Sequence, residues 1–269
     1  MLACFAKPAA PLAGRVGLFW ALEAVREPGR ERVLPSGTTE LVFDLARAGA
    51  PGLVCGPRSE SFVMRRAGRE SFAGVHFEPG AASLLLGVPE RELANRFVPL
   101  DALWGRAALE LSARLAEAAN RPEALALLER ALLERLGRAR APHPGVAYAL
   151  GQLAHVPAPR SIAEIGARAG LSARRFISLF TEQVGLSPKL FARVRRFQRV
   201  LQRAHALQAP DWTRLALACG YYDQAHLVRD FGGFASVSPG AYLRLRSHDP
   251  NHIALAPGVQ IRPSEGERP

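Results

Sequence analysis

The chain has 269 residues, 48% of them hydrophobic and 22% charged, which suffices for two domains with buried cores and excludes a disordered chain. Its formal charge of +11 is unevenly placed: residues 155–246 carry 14 Lys and Arg against 5 Asp and Glu, whereas residues 1–154 carry 19 against 16. The excess therefore lies on the part of the chain where a polyanion would bind.

Cys4, Cys55 and Cys219 are far apart and form no C-x-x-C unit, which argues against a disulfide frame or a zinc cluster. The first twenty residues are mildly apolar but broken by Lys7, Pro8, Pro11 and Arg15, so they make neither a signal peptide nor a span. The expectation is a soluble, cytoplasmic protein that does not engage a membrane.

Along the first hundred residues, short apolar runs at 32–45, 52–58, 61–66 and 74–80 alternate with Gly and Pro, as strands and turns do. Pro35-Ser36-Gly37 and Pro79-Gly80 are the expected turns. Residues 81–86 and 89–97 suggest short helical pieces. From Trp104 the period becomes helical, with Ala/Leu-rich segments at 104–119 and 121–138 and a further helix at 143–155. Leu125 and Leu132 mark a candidate self-association surface there, with packing against the β-domain as the alternative. Val156-Pro157-Ala158-Pro159 marks the passage into the basic part, and the Pro/Gly-rich end after Ser247 reads as a loose tail.

The last third holds a helix-turn-helix pattern twice. Ser161 caps a helix over 162–169, Gly170 supplies the left-handed turn, and Ser172 caps a second helix over 173–184. A longer amphipathic helix over 189–206 follows. The plan then repeats with a helix over 212–219, a turn at Gly220-Tyr221-Tyr222, Asp223 as cap, and a helix over 224–231. Phe180 and Phe231, Ser187-Pro188 and Ser238-Pro239, and Phe191 and Tyr242 are each 51 positions apart. Two such units at a fixed interval suit two successive major-groove faces of one duplex.

In each unit the second helix is expected to lie in the groove with its N-terminal end nearest the bases. Base-reading candidates are Arg174, Ile177 and Ser178 in the first and Gln224, Ala225 and Arg229 in the second. Arg pairs with guanine, Gln with adenine, and Ile or Ala packs on a thymine methyl. Phosphate-contact candidates are Ser172, Arg175, Arg193, Arg196, Arg203 and His226. Phe176, Leu179, Phe180, Leu227 and Phe231 belong to the inner face as core. The connecting helix of about 18 residues spans roughly 27 Å and holds the two reading helices apart.

These residues resemble the DNA-binding domain of the AraC/XylS family of bacterial regulators. The likeness is carried by Ala169-Gly170-Leu171-Ser172, Phe176, Phe180, Gly185-Leu186-Ser187-Pro188 and Arg196-Phe197. In the second unit it is carried by Gly220-Tyr221, Gln224, Leu227, Arg229-Asp230-Phe231 and Val237-Ser238-Pro239-Gly240-Ala241-Tyr242. The resemblance implies a seven-helix domain with paired recognition helices acting at a promoter. Gly232-Gly233 departs from it, standing where polar or basic residues are usual and loosening the expected end of the second recognition helix. The first half is similar to the N-terminal domain of an uncharacterised subset of these regulators, through Leu34-Pro35-Ser36-Gly37, Glu40-Leu41-Val42-Phe43, Cys55-Gly56-Pro57 and Phe77-Glu78-Pro79-Gly80. In related regulators such domains are β-rich and bind an effector or mediate dimerisation.

An enzyme would need a site. His76-x-Glu78 could place two metal ligands on one strand face, yet no further His follows at a metal-site spacing. No G-x-S-x-G, P-loop, Rossmann fingerprint or H-E-x-x-H is present. Asp223 has a sufficient reason to exist as a helix cap. The rival class is a nonspecific or architectural DNA binder, which needs the charge but not two ordered turns with polar tips.

The reading is therefore an α+β protein. Residues 1–103 form a β-rich, cupin-like sensing or dimerisation domain and 104–154 a helical linker or oligomerisation segment. Residues 155–246 form an all-α domain of two helix-turn-helix units and 247–269 a flexible tail. It is a sequence-specific transcription regulator and not an enzyme, with no cofactor or metal. Its partner is double-stranded DNA; RNA polymerase, a small-molecule effector and a second copy of the chain in a homodimer are candidate partners.

Overall fold

The computed structural model describes residues 2–47, 49–66, 68–136, 142–154 and 161–255. The Pro-rich segment 156–159 and the end of the tail lie outside them. The N-terminal part runs β1 (Leu2–Ala6), a 3-10 turn at Ala10–Leu12, β2 (Val16–Val25), β3 (Gly29–Val33), β4 (Glu40–Asp44), β5 (Leu53–Cys55), β6 (Phe62–Arg66), β7 (Arg69–Phe77), α1 (Ala82–Leu86), α2 (Glu90–Leu93), β8 (Phe97–Pro99), α3 (Asp101–Trp104), α4 (Arg106–Glu117) and α5 (Arg121–Leu136). The C-terminal part runs α6 (Pro144–Ala154), α7 (Ile162–Arg168), α8 (Ala173–Val184), α9 (Pro188–His205), α10 (Trp212–Ala218), α11 (Gln224–Ala235), α12 (Pro239–Leu245) and β9 (His252–Leu255). This is the β-rich N-terminal and helical C-terminal arrangement expected from the sequence.

A six-stranded sheet of order β1-β2-β7-β4-β5-β8 and a three-stranded sheet of order β6-β3-β9 are each antiparallel throughout. Side-chain alternation sorts the larger sheet into two faces. Phe19, Ala21, Leu41, Phe43, Ala73, Val75 and Phe77 join Leu111, Leu115, Leu125, Leu128 and Leu132 of α4 and α5 in one core. Trp20, Leu22, Glu40, Val42, Phe72 and His76 point the other way, into a cavity shared with Glu31, Val33, Phe62 and Met64 of the smaller sheet. Gly74 is required at its place. It sits opposite Trp20 in the register, and a Cβ there would stand 2.6 Å from the indole ring and 2.7 Å from the Leu41 carbonyl.

The outer face of the smaller sheet meets the helical domain. Ile253 of β9, and Leu34 just after β3, are buried in the same core as Phe180, Phe197, Phe231 and Tyr242. The layers are thus α4/α5, the six-stranded sheet, the cavity, the three-stranded sheet and the helical domain.

Four sequence expectations are corrected. Leu125 and Leu132 are buried in the N-terminal core, so they form no exposed self-association surface. Helix α6 packs its Val146, Ala149 and Leu153 into the C-terminal core, not into a linker. Residues 252–255 are no loose tail; they pair with β3 as an edge strand. Helix α11 continues through Gly232-Gly233 to Ala235 and ends at Ser236 in the left-handed conformation. Burial of Phe234 and Ala235 holds that last turn despite the two glycines.

Candidate nucleic-acid interface

The helical domain is started and stopped by local chemistry that repeats. Ser161 and Glu164 form a capping box at α7: the Ser161 hydroxyl accepts from the Glu164 amide at 3.2 Å, and the Glu164 carboxylate accepts from the Ser161 amide at 2.8 Å. Ser172 caps α8 by accepting from the Arg175 amide, and Asp223 caps α11 by accepting from the His226 amide at 2.7 Å. Between paired helices, Gly170 (φ +71°) and Gly220 (φ +82°) hold the left-handed turn. Ser187-Pro188 and Ser238-Pro239 start α9 and α12 in the same way, each serine capping the third amide beyond it and each proline filling the first helical position.

The aromatic packing repeats as well. Phe180 meets Phe191 with ring centroids 5.6 Å apart at 65°, and Phe231 meets Tyr242 at 5.5 Å and 66°. The 51-residue interval in the sequence is therefore one packing unit built twice. Phe197 of the connecting helix binds the second unit, lying 5.2 Å from Phe231 and 5.1 Å from Phe234.

On the outer faces, Ser172, Arg174, Arg175, Ile177 and Ser178 are exposed on α8, and Gln224, Ala225 and Arg229 on α11. Ile177 leaves 46% of its surface in solvent, an apolar tip among polar neighbours. The Gln224 amide oxygen accepts from the Thr213 hydroxyl at 2.8 Å, which fixes its side chain against α10. His226 is half-buried and packs edge-on against Tyr221 at 5.1 Å.

The arginines of the connecting helix have work inside the domain. Arg193 and Arg196 approach Asp230 at 2.7 and 3.8 Å. Arg203 donates to the Ala218 carbonyl at the end of α10, and Arg199 to the Leu153 and Ala154 carbonyls at the end of α6. Arg246 donates likewise to the Ala204 carbonyl in the last turn of α9 and to the Leu207 carbonyl just beyond it. These guanidiniums meet carbonyls at the negative ends of helices. Part of the positive charge that points to DNA thus stabilises the domain itself.

Three exposed residues beside the reading helices escaped the sequence reading. Tyr222, in the turn before α11, leaves 86% of its surface in solvent, and Thr213 and Arg214 lie at the start of α10. The sequence holds one signal for Tyr222: Gly170 and Gly220 are 50 positions apart while the pairs that follow are 51 apart, so the second turn carries one extra residue.

Elsewhere the side chains with catalytic potential are engaged. His76 pairs with Glu40 at 2.7 Å across neighbouring strands. Cys219 is fully buried, and burial pushes its thiol up. Among the described residues, no three His, Cys, Asp or Glu side chains group as metal ligands, and no helix is long and apolar enough to cross a membrane.

Comparison with known families adds a match over residues 165–245 to a family described as a helix-turn-helix domain. Residues 165–245 form an AraC-type helix-turn-helix domain. The chain is accordingly a DNA-binding transcription regulator. Residues 5–99 match a family described as a domain of unknown function (DUF6597). No curated protein matches the chain. Among solved structures, an AraC-type transcriptional regulator from Chromobacterium violaceum is similar at 23% identity, covering 39% of this chain and 94% of its own, with a TM-score of 0.33. A DNA-binding transcriptional dual regulator from Escherichia coli shares 21% identity over 38% of this chain and 93% of its own, with a TM-score of 0.31. ToxT from Vibrio cholerae shares 8% identity over 92% of this chain and 98% of its own, with a TM-score of 0.42. The assignment rests on the family match and on the duplicated geometry.

Proposed function

We propose that the protein regulates transcription by reading a specific DNA site, with α8 and α11 in successive major grooves. The observation that carries this is the paired presentation of two capped helices whose exposed N-terminal ends are chemically different. Arg174, Ile177 and Ser178 face out of one; Gln224, Ala225 and Arg229 face out of the other. Different tips suit two different half-sequences, which a coat of charge would not need. Ser172, Arg175 and His226 flank these tips as phosphate contacts. Arg193, Arg196 and Arg203 extend the positive side of α9, their contribution shared with the internal bonds described above. The protein works in the cytoplasm, catalyses no reaction, and responds through its N-terminal domain to a small molecule or to self-association; RNA polymerase is its partner at the promoter.

A footprint on the DNA upstream of its own gene, taken across a salt series, tests the reading. Protection of about two helical turns that resists random competitor is expected. Uniform coating that vanishes with salt would leave a nonspecific binder and overturn it.

A further inference from the structure

The cavity between the two sheets has a volume of about 410 Å³, within the range of small-molecule sites. Its walls are mostly apolar, with Phe5, Leu22, Val33, Met64 and Phe72 among them. Its charged groups are the informative part. Glu31 is held by His252 at 2.9 Å, Arg66 at 3.3 Å and Arg26 at 3.4 Å. Glu40 is held by His76, and Glu70 lies 3.8 Å from Arg26.

Arg58 differs. Only 6% of it is exposed, and no carboxylate lies within ion-pair distance of it among the described residues. Its guanidinium carbon sits 4.7 Å from the centroids of both Phe62 and Phe97, and Nε makes a long bond of 3.4 Å to the Glu60 carbonyl. Nη1 is buried with no acceptor. The indole Nε1 of Trp20, in the wall of the same cavity, is a second buried donor without a partner. A buried charged donor left unpaired is costly, and two aromatic faces hold the guanidinium plane while leaving an edge donor unused.

One wall belongs to the other domain. Residues 247–252, which follow the last helix of the DNA-binding domain, line the cavity. They are tied to both sides. The Leu34 amide donates to the Asn251 carbonyl at 2.8 Å, and Gln198 of α9 donates to the Asn251 side-chain oxygen at 2.8 Å and to the Pro35 carbonyl at 2.6 Å. The Tyr242 hydroxyl of α12 donates to the Pro250 carbonyl. Whatever fills the cavity touches a segment bonded directly to the helix that connects the two reading units.

We propose that this cavity binds a small organic monoanion with an apolar body, its carboxylate on Arg58 and an acceptor on Trp20, and that residues 247–252 pass its presence to the DNA-binding helices. The inference rests on the regulator reading for its second half only. A single negative charge is specified because Arg58 offers one guanidinium, while the other cations named above are already paired with Glu31, Glu40 and Glu70.

The test uses the full chain with octanoate, octanamide and octylamine as probes, followed by thermal unfolding and by the fluorescence difference between the parent and Trp20→Phe. Octanoate should bind and raise Tm by about 5 °C at a hundred-fold excess over Kd, with the amide weaker and the amine inert. Arg58→Gln should weaken octanoate by about 10–100-fold, and Arg58→Lys, which keeps the charge, should weaken it less. Equal binding of the amine, an Arg58→Gln variant of parental affinity, or no response to any probe would overturn the site. Octanoate should also change the affinity for the footprinted DNA in the parent and change it less in Gln198→Ala, which lies outside the cavity lining and loses the bonds to Asn251 and to the Pro35 carbonyl. Octanoate binding that leaves DNA affinity unchanged would overturn the coupling. A missing footprint would instead overturn the regulator reading, whatever octanoate does.

Discussion

Arg193 donates two hydrogen bonds to one oxygen of Asp230, from Nε at 3.2 Å and from Nη2 at 2.7 Å. The pair fastens the connecting helix to the second recognition helix, one residue beyond Arg229. Asp230 is buried while Arg193 keeps 41% of its side chain in solvent. Asp230→Ala would leave guanidinium donors unmatched at a packed contact. We expect a loss of roughly 2–3 kcal/mol, less than for a fully buried pair because Arg193 is partly solvated. Urea unfolding of parent and variant measures it, and an unchanged midpoint would refute the structural role.

Base reading and phosphate contact separate by their dependence on sequence and salt. Arg229→Ala is expected to cost about 1–3 kcal/mol on the preferred site and to relax preference at one position. Arg175→Ala is expected to weaken all sequences alike and to lower the salt slope by about 1 unit. Binding isotherms on a set of single-base variants at several salt concentrations distinguish the two. Identical behaviour of the two variants would remove the base-reading role of Arg229.

Glu90 carries a pH dependence. Burial pushes its carboxyl up to about 7, against the opposing pull of the Thr39 hydroxyl and the Ala82 amide, which both donate to it. Between about 4.5, its ordinary value, and about 7 the folded form keeps a proton that the unfolded chain has lost. Stability from this group is therefore full below that window and declines as pH rises through it, by about 3 kcal/mol. Glu90→Gln, whose amide oxygen still accepts from Ala82 while its NH2 donates to the Thr39 hydroxyl, removes the charge and should flatten this decline. Chemical unfolding at pH 5 and pH 8 checks it; a variant with the parent's pH slope would contradict the assignment.

Gly185 ends the first recognition helix with φ +80°, where the chain presses against the N-terminal domain. A Cβ there would collide with the Pro57 ring and come within 2.9 Å of the Glu90 carbonyl. Gly185→Ala therefore meets both backbone strain and a clash, and a loss of about 2–4 kcal/mol is expected. A thermal melt within 1 °C of the parent, on the order of 0.3 kcal/mol, would show that the contact gives way freely.

The helical domain was legible in the sequence because its instructions are local. Ser172, Asp223, Ser187-Pro188 and Gly170 each act within four residues of themselves, so their spacing alone placed the helices. Long-range partners were not legible. Nothing in the run of arginines on α9 told that Arg199 and Arg203 would meet the ends of other helices, or that Asp230 would bind Arg193. In β2, whose mixed run buries one face against helices and lines the cavity with the other, simple alternation of apolar and polar residues is missing. The Pro- and Gly-rich end concealed β9, because strand formation there depends on β3, about 220 residues away, and not on its own composition.

That pairing sets an order of events during synthesis. The outer edge of β3 is completed by residues 252–255, which leave the ribosome about 220 residues after β3 itself. Until then the nascent N-terminal half presents a row of unsatisfied amides and carbonyls along β3, an invitation to pair with another chain. Native contacts of such wide sequence separation form late and slowly. The N-terminal half released alone would keep that open edge, so its shortage would be of solubility and not of apolar core.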